Sequence, residues 1–326
     1  MRITFLKRYQ IYLNIGMKIK VIDLFAGIGG IRRGFENAIG KENVECVMSS
    51  EWDKYAVETY ISNYPNEKVK GDITKIDEKD VPDHDLLMAG FPCQPFSQAG
   101  LKKGFEDTRG TLFFDILRIL KKKKPKCFIL ENVKRLKTHD KGRTLETIIS
   151  SLKEIGYTNI HIDILRARDF GLPQNRERVF IVGFLNDNVE FNFPDPIGED
   201  TNVGKILEKE VDKKYTISDK LWAGHRRRKE KNKLMGRGFG YGIFDKNSSY
   251  TNTISARYYK DGSEILIRQE NKNPRKITPR EAARLQGFPD SFIIPVSDVQ
   301  AYKQFGNSVS VNVIEAISKE IIRSLS

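Results

Sequence analysis

The stretch "IKVIDLFAGIGGIRRGFENAI", from Ile19 to Ile39, decides the interpretation of the fold. A short apolar run is followed by a turn that contains Gly27, Gly29 and Gly30, and then by an amphipathic segment. Glycine lets the backbone turn tightly and lets a ligand approach the N-terminus of the following helix. The stretch therefore predicts a strand, a turn and a helix, with a nucleotide-like cofactor at the turn.

The same alternation continues from Met17 to about Leu185. The apolar runs "VECVMSS", "DLLMAG" and "KCFILEN" are each followed by an amphipathic segment, and in "TLFFDILRIL" the apolar residues recur at helical spacing. Repeated β-α units impose a parallel sheet with helices on both faces. We therefore predict an α/β fold with a doubly wound, largely parallel sheet.

A chain of 326 residues is long enough for two unequal domains. The alternation stops after Leu185, where "DNVEFNFPDPIGED" is rich in Pro, Asp and Asn. We predict a first domain over residues 17–185, a smaller, irregular, β-rich domain over 186–300, and a C-terminal segment over 301–326 that returns to the first domain. Residues 1–16 are expected to form a peripheral extension.

Two segments after residue 185 carry local signals. In "TPREAARLQGF", Thr278 is a candidate N-cap and Glu281 lies at capping-box spacing, which predicts a helix. The pieces "TNTISARYY" and "EILIRQ" read as short strands. The last helix, from about Val309 to Leu325, has the apolar spacing of an element that packs on the first domain.

The composition limits the classes of protein. Hydrophobic residues make up 39% and charged residues 30%, and no apolar run approaches the roughly 20 residues needed to cross a bilayer. Cys46, Cys93 and Cys127 are odd in number, and their spacing fits neither a disulfide framework nor a metal-binding knuckle. We expect a soluble, cytoplasmic protein with no bound metal and no membrane partner.

The charge favours a polyanionic partner. The formal net charge is +13, and Lys205 to Arg237 contains 12 Lys and Arg against 5 Asp and Glu. "HRRRKEKNK" is the densest part of this span. A solvated charged face is the alternative interpretation.

Polar residues follow two further strands of the predicted sheet. Glu51 ends the second strand, where a carboxylate can accept hydrogen bonds from ribose hydroxyls, and Trp52 beside it can stack on a base. Asp72 in "GDIT" would reach the edge of an adenine. Arg32 stands where a dinucleotide fingerprint has its third glycine, which argues against NAD.

The stretch "GFPCQPFSQAG" places Cys93 just beyond the carboxyl end of a strand, on the side where open α/β sheets bind ligands. Glu131 ends another buried strand, where burial would raise its pKa and make it a proton donor. Arg176 and Arg178 lie two apart in "PQNRERVF", and two cations there would bind a ring carbonyl and keep a thiolate ionised. A surface ion pair between Arg176 and Glu177 is the structural alternative.

These motifs, taken in order, resemble those of the bacterial DNA cytosine-5 methyltransferases of restriction-modification systems. The resemblance rests on "DLFAGIGG", "EWD", "GDIT", "GFPCQPFS", "RGTLFFDILRIL", "ENV", "GLPQNRERVFIVGF", "ITPREAARLQGFPDSF" and "QAYKQFGNSVSVNVI". It extends over nearly the whole chain, apart from the amino-terminal extension and the middle of the basic region. It implies a Rossmann-like fold, a catalytic domain over 17–185 and a target-recognition domain over 186–300.

The resemblance also implies the cofactor S-adenosyl-L-methionine, held over the edge of the sheet. The residues of the first domain that would line its site are Phe25, Gly27, Gly29, Glu51, Trp52, Asp72, Ile73, Pro92 and Leu112. Asn307, Ser308 and Val309 would complete the site from the far end of the chain.

The resemblance further implies covalent catalysis on a cytosine by the cysteine, the acid and the two arginines. Addition of the Cys93 thiolate to C6 of cytosine makes C5 nucleophilic, and Glu131 and Arg178 would stabilise the charge that develops at N3 and O2, with Arg176 in support. A duplex must release its base for this reaction, so base flipping is expected, with closure of the loop from Gln94 to about Phe105.

The expected partner is double-stranded DNA, bound by a monomer at a short site of the CCGG, CCWGG or CCNGG kind, in functional association with a restriction endonuclease. Two alternatives remain open. A related group of enzymes with similar motifs methylates tRNA, and a regulator with a vestigial methyltransferase fold would bind DNA without catalysis. The presence of Cys93, Glu131 and both arginines argues against the regulator.

Overall fold

A computed structural model of the protein describes residues 18–92, 112–238 and 240–325. The described chain divides into two compact units. The first unit comprises residues 18–92, 112–165, 177–195 and 313–325. The second unit comprises residues 166–176 and 196–312 without residue 239. The division differs from the sequence-based boundaries in placing a short segment before residue 177 in the second unit and in returning to the first unit at residue 313.

The regular elements of the described residues alternate along the first half of the chain. The strands are β1 (Ile19–Leu24), β2 (Val44–Ser50), β3 (Val69–Lys70), β4 (Leu86–Gly90), β5 (Cys127–Val133), β6 (Asn159–Arg166), β7 (Glu177–Phe184), β8 (Ile243–Phe244), β9 (Leu266–Ile267) and β10 (Arg275–Lys276). The α-helices are α1 (Gly30–Ile39), α2 (Lys54–Asn63), α3 (Leu112–Lys123), α4 (Arg143–Glu154), α5 (Asp219–Leu234), α6 (Pro279–Leu285), α7 (Asp298–Asn307) and α8 (Val311–Leu325).

Seven strands form the sheet of the first unit, in the order β3-β2-β1-β4-β5-β7-β6. β1 is parallel to β2 and β4, β2 is parallel to β3, and β4 is parallel to β5, whereas β7 runs antiparallel to β5. The predicted doubly wound, largely parallel, Rossmann-like sheet is therefore confirmed. Because the strands are parallel from β3 to β5, their carboxyl ends meet at one edge of the sheet.

Apolar burial holds this sheet between its helices. In α3 the buried residues are Phe113, Ile116, Leu117, Ile119 and Leu120, the face that the apolar spacing predicts. They pack in one core with residues of the central strands, which read as continuous apolar runs because both faces are covered. Among the described residues no helix has both the length and the apolar character of a membrane span.

The glycine turn after β1 has a backbone that most side chains would not tolerate. Gly27 has φ 54°, Gly29 has φ 81°, and Phe25 also lies in the left-handed region with φ 54°. A Cβ on Gly29 would lie 2.7 Å from the Tyr64 ring and 3.2 Å from the Tyr60 ring. The turn can therefore pack on these two tyrosines only with glycine at position 29.

The second unit has little regular sheet. Its three strands have two residues each and lie in the order β10-β9-β8. The predicted strand in "TNTISARYY" is wrong, because this segment forms one bridge, between Thr251 and Gln174, followed by turns. The predicted capping box of α6 is confirmed: Glu281 N donates to Thr278 Oγ1 at 3.1 Å, and Thr278 N donates to Glu281 Oε2 at 2.8 Å.

Candidate active site

The carboxyl ends of β4 and β5 lie side by side, with Gly90 paired in register with Glu131. A Cβ on Gly90 would lie 3.7 Å from Glu131 Oε2, so the carboxylate stands directly beside the last residue of β4. Phe91 and Pro92 follow, and Cys93 and the predicted loop from Gln94 to about Phe105 lie outside the described residues. The chain therefore leads to position 93 from a point next to the Glu131 carboxylate.

Glu131 is paired with Arg178 of the neighbouring strand β7. Arg178 Nε lies 3.1 Å from Glu131 Oε1, and the two side chains are 17% and 9% exposed. Burial lowers the pKa of the Arg178 guanidinium, and Glu131 acts in the opposite direction.

Asn132 is a component of this edge that the sequence interpretation missed. Its Nδ2 donates to the carbonyl oxygen of Phe91 at 2.9 Å, and its Oδ1 accepts from the backbone N–H of Val133 at 2.8 Å. The side chain is almost fully buried. Asn132 therefore fixes the backbone two residues before Cys93. The available signal was an amide immediately after Glu131 at the end of an apolar strand.

Glu51 ties the glycine turn to the end of β2. Its Oε2 accepts from the backbone N–H of Gly27 at 2.8 Å, and its Oε1 accepts from those of Trp52 at 2.9 Å and Asp53 at 2.8 Å. A carboxylate has about four acceptor positions, so three of them hold the protein's own backbone. The predicted bond to a ribose hydroxyl would use the remaining one.

The described residues leave open space beside this turn. Among residues 18–92, 112–238 and 240–325, no heavy atom lies within 4 Å of the position that a Cβ on Gly27 would occupy. The Trp52 side chain is 76% exposed, although exposed tryptophan is unfavourable in water. Phe25 is half-buried beside the turn. The arrangement leaves an open glycine and an uncovered aromatic ring at the same strand edge.

The other predicted cofactor residues of the first unit differ in how far their side chains are exposed. Asp72 is half-buried, and hydrogen bonds from the Thr74 hydroxyl and the Thr74 backbone N–H lower its pKa. The Ile73 side chain is buried in the apolar core, and Leu112 packs against that core while half-buried. Pro92 is exposed. Because its side chain is buried, Ile73 could contact a ligand only through its backbone atoms.

Arg32, which replaces the third glycine of a dinucleotide fingerprint, anchors α1. It forms ion pairs with Glu36 at 2.7 Å and Glu67 at 2.9 Å, and it donates to the Tyr60 hydroxyl at 3.1 Å. The guanidinium also lies 3.9 Å from the centre of the Tyr64 ring. A buried cation with these partners holds α1 to α2. In a dinucleotide-binding protein, the glycine at this position instead allows close packing of the backbone.

Arg176 has different contacts from those predicted. Its side chain is buried in the second unit, and its guanidinium donates to the carbonyl oxygens of Ile254 at 3.2 Å, Gly306 at 3.1 Å and Ser308. Arg178 belongs to the first unit. The two arginines, which an extended strand would place on one side, therefore have separate sets of partners.

The contacts of Arg176 lie where two backbone segments meet. A Cβ on Gly306 would lie 2.3 Å from the backbone of Ser255 and Ala256, so the end of α7 touches that segment directly. Asn307 is exposed, Ser308 is half-buried and Val309 is buried. Arg176 thus holds the predicted cofactor residues Asn307 to Val309 against the segment that begins at Ile254.

The charge-reducing replacement Glu51→Gln is expected to weaken S-adenosylmethionine binding by about 10- to 100-fold, the range for losing a hydrogen bond to a charged group. In either orientation the amide NH2 would face a backbone N–H that now donates to an oxygen. Titration calorimetry of the purified protein measures the change. Asp53→Asn is the matched control, because Asp53 caps α2 instead of contacting the turn; equal losses in both variants would contradict the assignment.

No group of three or more His, Cys, Asp or Glu side chains in the described part of the chain is arranged to hold a metal ion. The described residues of the candidate site carry carboxylate, guanidinium, amide and aromatic groups at the carboxyl edge of a parallel sheet. This edge is where α/β proteins bind nucleotides and carry out group transfer.

Known proteins resemble this chain over most of its length. The profile described as "C-5 cytosine-specific DNA methylase" matches residues 19–323. The Type II methyltransferase M.NlaX of Neisseria lactamica is 68% identical over 307 residues, which cover 94% of this chain and 97% of that protein. The Type II methyltransferase M1.ScrFI of Lactococcus lactis subsp. cremoris is 64% identical over 94% of this chain and 79% of its own length.

Solved structures share the fold at lower identity. The Entamoeba histolytica methyltransferase EhMeth superposes with a TM-score of 0.76 at 22% identity, over 95% of this chain and 99% of that one. The family profile extends over nearly all of the described residues, and relatives with more than 60% identity are matched over most of both chains. The chain therefore belongs to the C-5 cytosine-specific DNA methylase family and is a DNA (cytosine-5) methyltransferase of the bacterial type II restriction-modification kind.

Proposed function

We propose that this methyltransferase transfers the methyl group of S-adenosylmethionine to C5 of a cytosine flipped out of a short, specific site in duplex DNA. One observation carries the proposal: the buried pair of Glu131 and Arg178 adjoins the end of β4, three residues before Cys93. A pyrimidine ring has hydrogen-bond acceptors at N3 and O2. A protonated carboxyl and a guanidinium at such a position can donate hydrogen bonds to them.

The described residues of the first unit fit the cofactor. The open space at Gly27 would admit the amino-acid part, the exposed Trp52 ring would stack on the adenine, and Glu51 retains one acceptor position for a ribose hydroxyl. Asp72 is half-buried and is proposed to reach the adenine edge. Asn307, Ser308 and Val309 are proposed to complete the site. The bound cofactor would supply an electrophilic methyl group on a sulfonium sulfur.

Cys93 is proposed to activate the base. Its thiolate would bond to C6, which breaks the conjugation of the ring and raises the electron density at C5. Arg178 would donate a hydrogen bond to O2, and Glu131, once protonated, would donate to N3, so that both stabilise the charge displaced by the sulfur. Once C5 carries the methyl group, loss of its proton to a base would restore the C5–C6 double bond as the C6–S bond breaks and releases the Cys93 thiolate.

Arg176 is proposed to act through the backbone. It donates to the carbonyl oxygens of Gly306 and Ser308, and therefore sets the position of the residue between them, Asn307. It is thus a positioning residue for the cofactor, in support of the reacting groups. Flipping the target base requires unstacking at a cost of a few kcal/mol, and the segment after Cys93 is proposed to close over the base.

DNA recognition is proposed for the second unit, at a site of the CCGG, CCWGG or CCNGG kind. Methylation there would protect DNA from a cognate restriction endonuclease. The enzyme is proposed to act as a monomer in the cytoplasm. A tRNA substrate is the competing proposal, and it would need the same chemistry at the Cys93 edge.

Transfer of labelled methyl groups from S-adenosylmethionine to duplex DNA and to tRNA tests this function. We expect incorporation into duplex DNA only, and bisulfite sequencing of DNA from cells that express the protein is expected to show one short methylated motif. Incorporation confined to tRNA would overturn the choice of substrate. Methylated cytosines without a common sequence would contradict site specificity.

A further inference from the structure

Helix α5 is unusual for a helix of a folded protein because it has almost no apolar face. Over its 16 residues only His225 is buried. Burial of an apolar stripe is what normally holds a surface helix to its protein. The anchoring of α5 must therefore come from specific polar and aromatic contacts.

Those contacts occupy one side of the helix. His225 Nε2 donates to the carbonyl oxygen of Asp261 at 3.2 Å, and its Nδ1 accepts from Arg228 at 2.8 Å. Arg228 in turn forms an ion pair with the Asp261 carboxylate at 3.0 Å. The Trp222 ring packs edge-on against Tyr241, with ring centres 4.9 Å apart. One rigid face of α5 is thereby attached to the second unit.

A second set of cations lies beside and opposite that attachment, and one of them, Arg226, has its guanidinium 5.6 Å from the centre of the Trp222 ring. With 3.6 residues per turn, Arg227 and Lys231 lie on the half of the helix opposite His225, whereas Arg226 and Lys233 lie on its flank, about 100° and about 80° away. All four are exposed. None of them forms an ion pair with an acidic side chain among the residues that the structure describes. We call these four residues the outer cations.

The outer cations are not explained by the stability of the helix. Arg227 and Lys231 are four residues apart, so their charges repel along the helix surface. Glu230 is the one acidic residue between Arg226 and Lys233. A helix whose sequence concentrates repelling charges, while its other face is pinned in place, presents a fixed positive surface. The outer cations span about 10 Å along the helix axis, at 1.5 Å per residue.

We propose that the outer cations of α5 bind the sugar-phosphate backbone of duplex DNA independently of sequence. The inference rests on the proposed DNA recognition by the second unit, and it assigns the contacts with DNA phosphates to the outer cations. Phosphates of one strand recur every 3.4 Å along the duplex axis, so about three fall within a span of about 10 Å. The pinned side of α5 fixes the orientation of the helix, and the outer side supplies the charge.

Neutralising all four outer cations, in the variant R226Q/R227Q/K231Q/K233Q, tests the proposal. The slope of log Kd against log salt concentration is expected to become shallower by about 3 units, because each lost phosphate contact removes about 0.9. Affinity is expected to fall by the same factor for duplexes with and without the methylation site, since phosphate contacts carry no sequence information. The rate at saturating DNA is expected to be unchanged.

A control variant with the same loss of charge is K41Q/K121Q/K122Q/K153Q. These exposed lysines lie in the last turn of a helix or just after it, where the chain leads to the amino end of the next strand. The control is expected to keep the wild-type slope. A charge-preserving variant, R226K/R227K, is also expected to keep it, and circular dichroism verifies that α5 remains folded in each variant.

Three outcomes would overturn the inference: a slope change no larger than that of the control, a loss confined to duplexes that contain the methylation site, or a loss seen with tRNA and absent with duplex DNA. These outcomes are separable from failure of the proposed function. That function fails if the wild-type enzyme does not methylate duplex DNA, whereas the role of α5 is read from binding alone.

Discussion

Replacing Cys93 with serine is expected to reduce methyl transfer by at least about a thousandfold, the scale on which a covalent mechanism loses activity when its nucleophile is removed. A serine hydroxyl at neutral pH does not provide the anion that must add to C6. Duplex DNA with 5-fluorocytosine at the target gives the direct measurement. Fluorine cannot leave C5 as a proton does, so the wild-type enzyme should remain bonded to the DNA and the variant should not.

The other cysteines provide the matched control. Burial raises the pKa of the Cys46 thiol to about 11 and that of the Cys127 thiol well above its ordinary value, so neither is a thiolate at neutral pH. The variant C46A/C127A is expected to form the 5-fluorocytosine adduct as the wild type does. Adduct formation by the Cys93→Ser variant, or wild-type turnover by it, would remove position 93 from the mechanism.

Replacing Glu131 with glutamine is expected to lower kcat by about 10² to 10⁴, the usual contribution of a group that transfers a proton in the transition state. The same change leaves Arg178 as a buried cation without its carboxylate. Breaking a buried pair in this way costs about 3 to 5 kcal/mol of unfolding free energy. Single-turnover methylation well below the melting temperature measures the first effect, and urea unfolding measures the second.

The double variant E131Q/R178Q separates chemistry from stability. Removing both charges eliminates the unpaired cation, so much of the unfolding free energy is expected to return. Activity is expected to stay low, because the proposed donors to N3 and O2 are both lost. Recovery of activity together with stability would mean that the pair only supports the fold.

Local patterns were sufficient to predict the fold of the first unit. A strand followed by a helix leaves its signature within about 20 residues, as in "IKVIDLFAGIGGIRRGFENAI", and the glycine turn follows from the residues at positions 27 and 29. The capping box of α6 is equally local, since its two partners, Thr278 and Glu281, are three residues apart. In each case the physical cause acts between neighbours in the chain.

The ends of parallel strands were also predictable as a group. Once β1, β2, β4 and β5 are parallel neighbours, their last residues must share one edge, which brings Glu51 and Glu131 to the same side of the sheet. What each side chain does there was not predictable. Glu51 has three of its acceptor positions taken by backbone N–H groups, which depends on where the turn after β1 lies relative to the end of β2.

Contacts between distant segments were decided by the tertiary structure alone. The spacing of Arg176 and Arg178 suggested a shared role, yet one is bonded to carbonyl oxygens 78 to 132 residues away and the other to Glu131. Similarly, "TNTISARYY" was predicted as a strand, but within the part of the chain that the structure describes it forms one bridge, from Thr251 to Gln174, and then turns. The sequence by itself thus determined the α/β sheet, its glycine turn and the set of polar residues at the sheet edge, because these follow from short-range periodicity. The partners of Glu51, Asn132 and Arg176 were decided only in the folded chain, because a buried hydrogen-bonding group is satisfied by whichever groups the fold brings within reach.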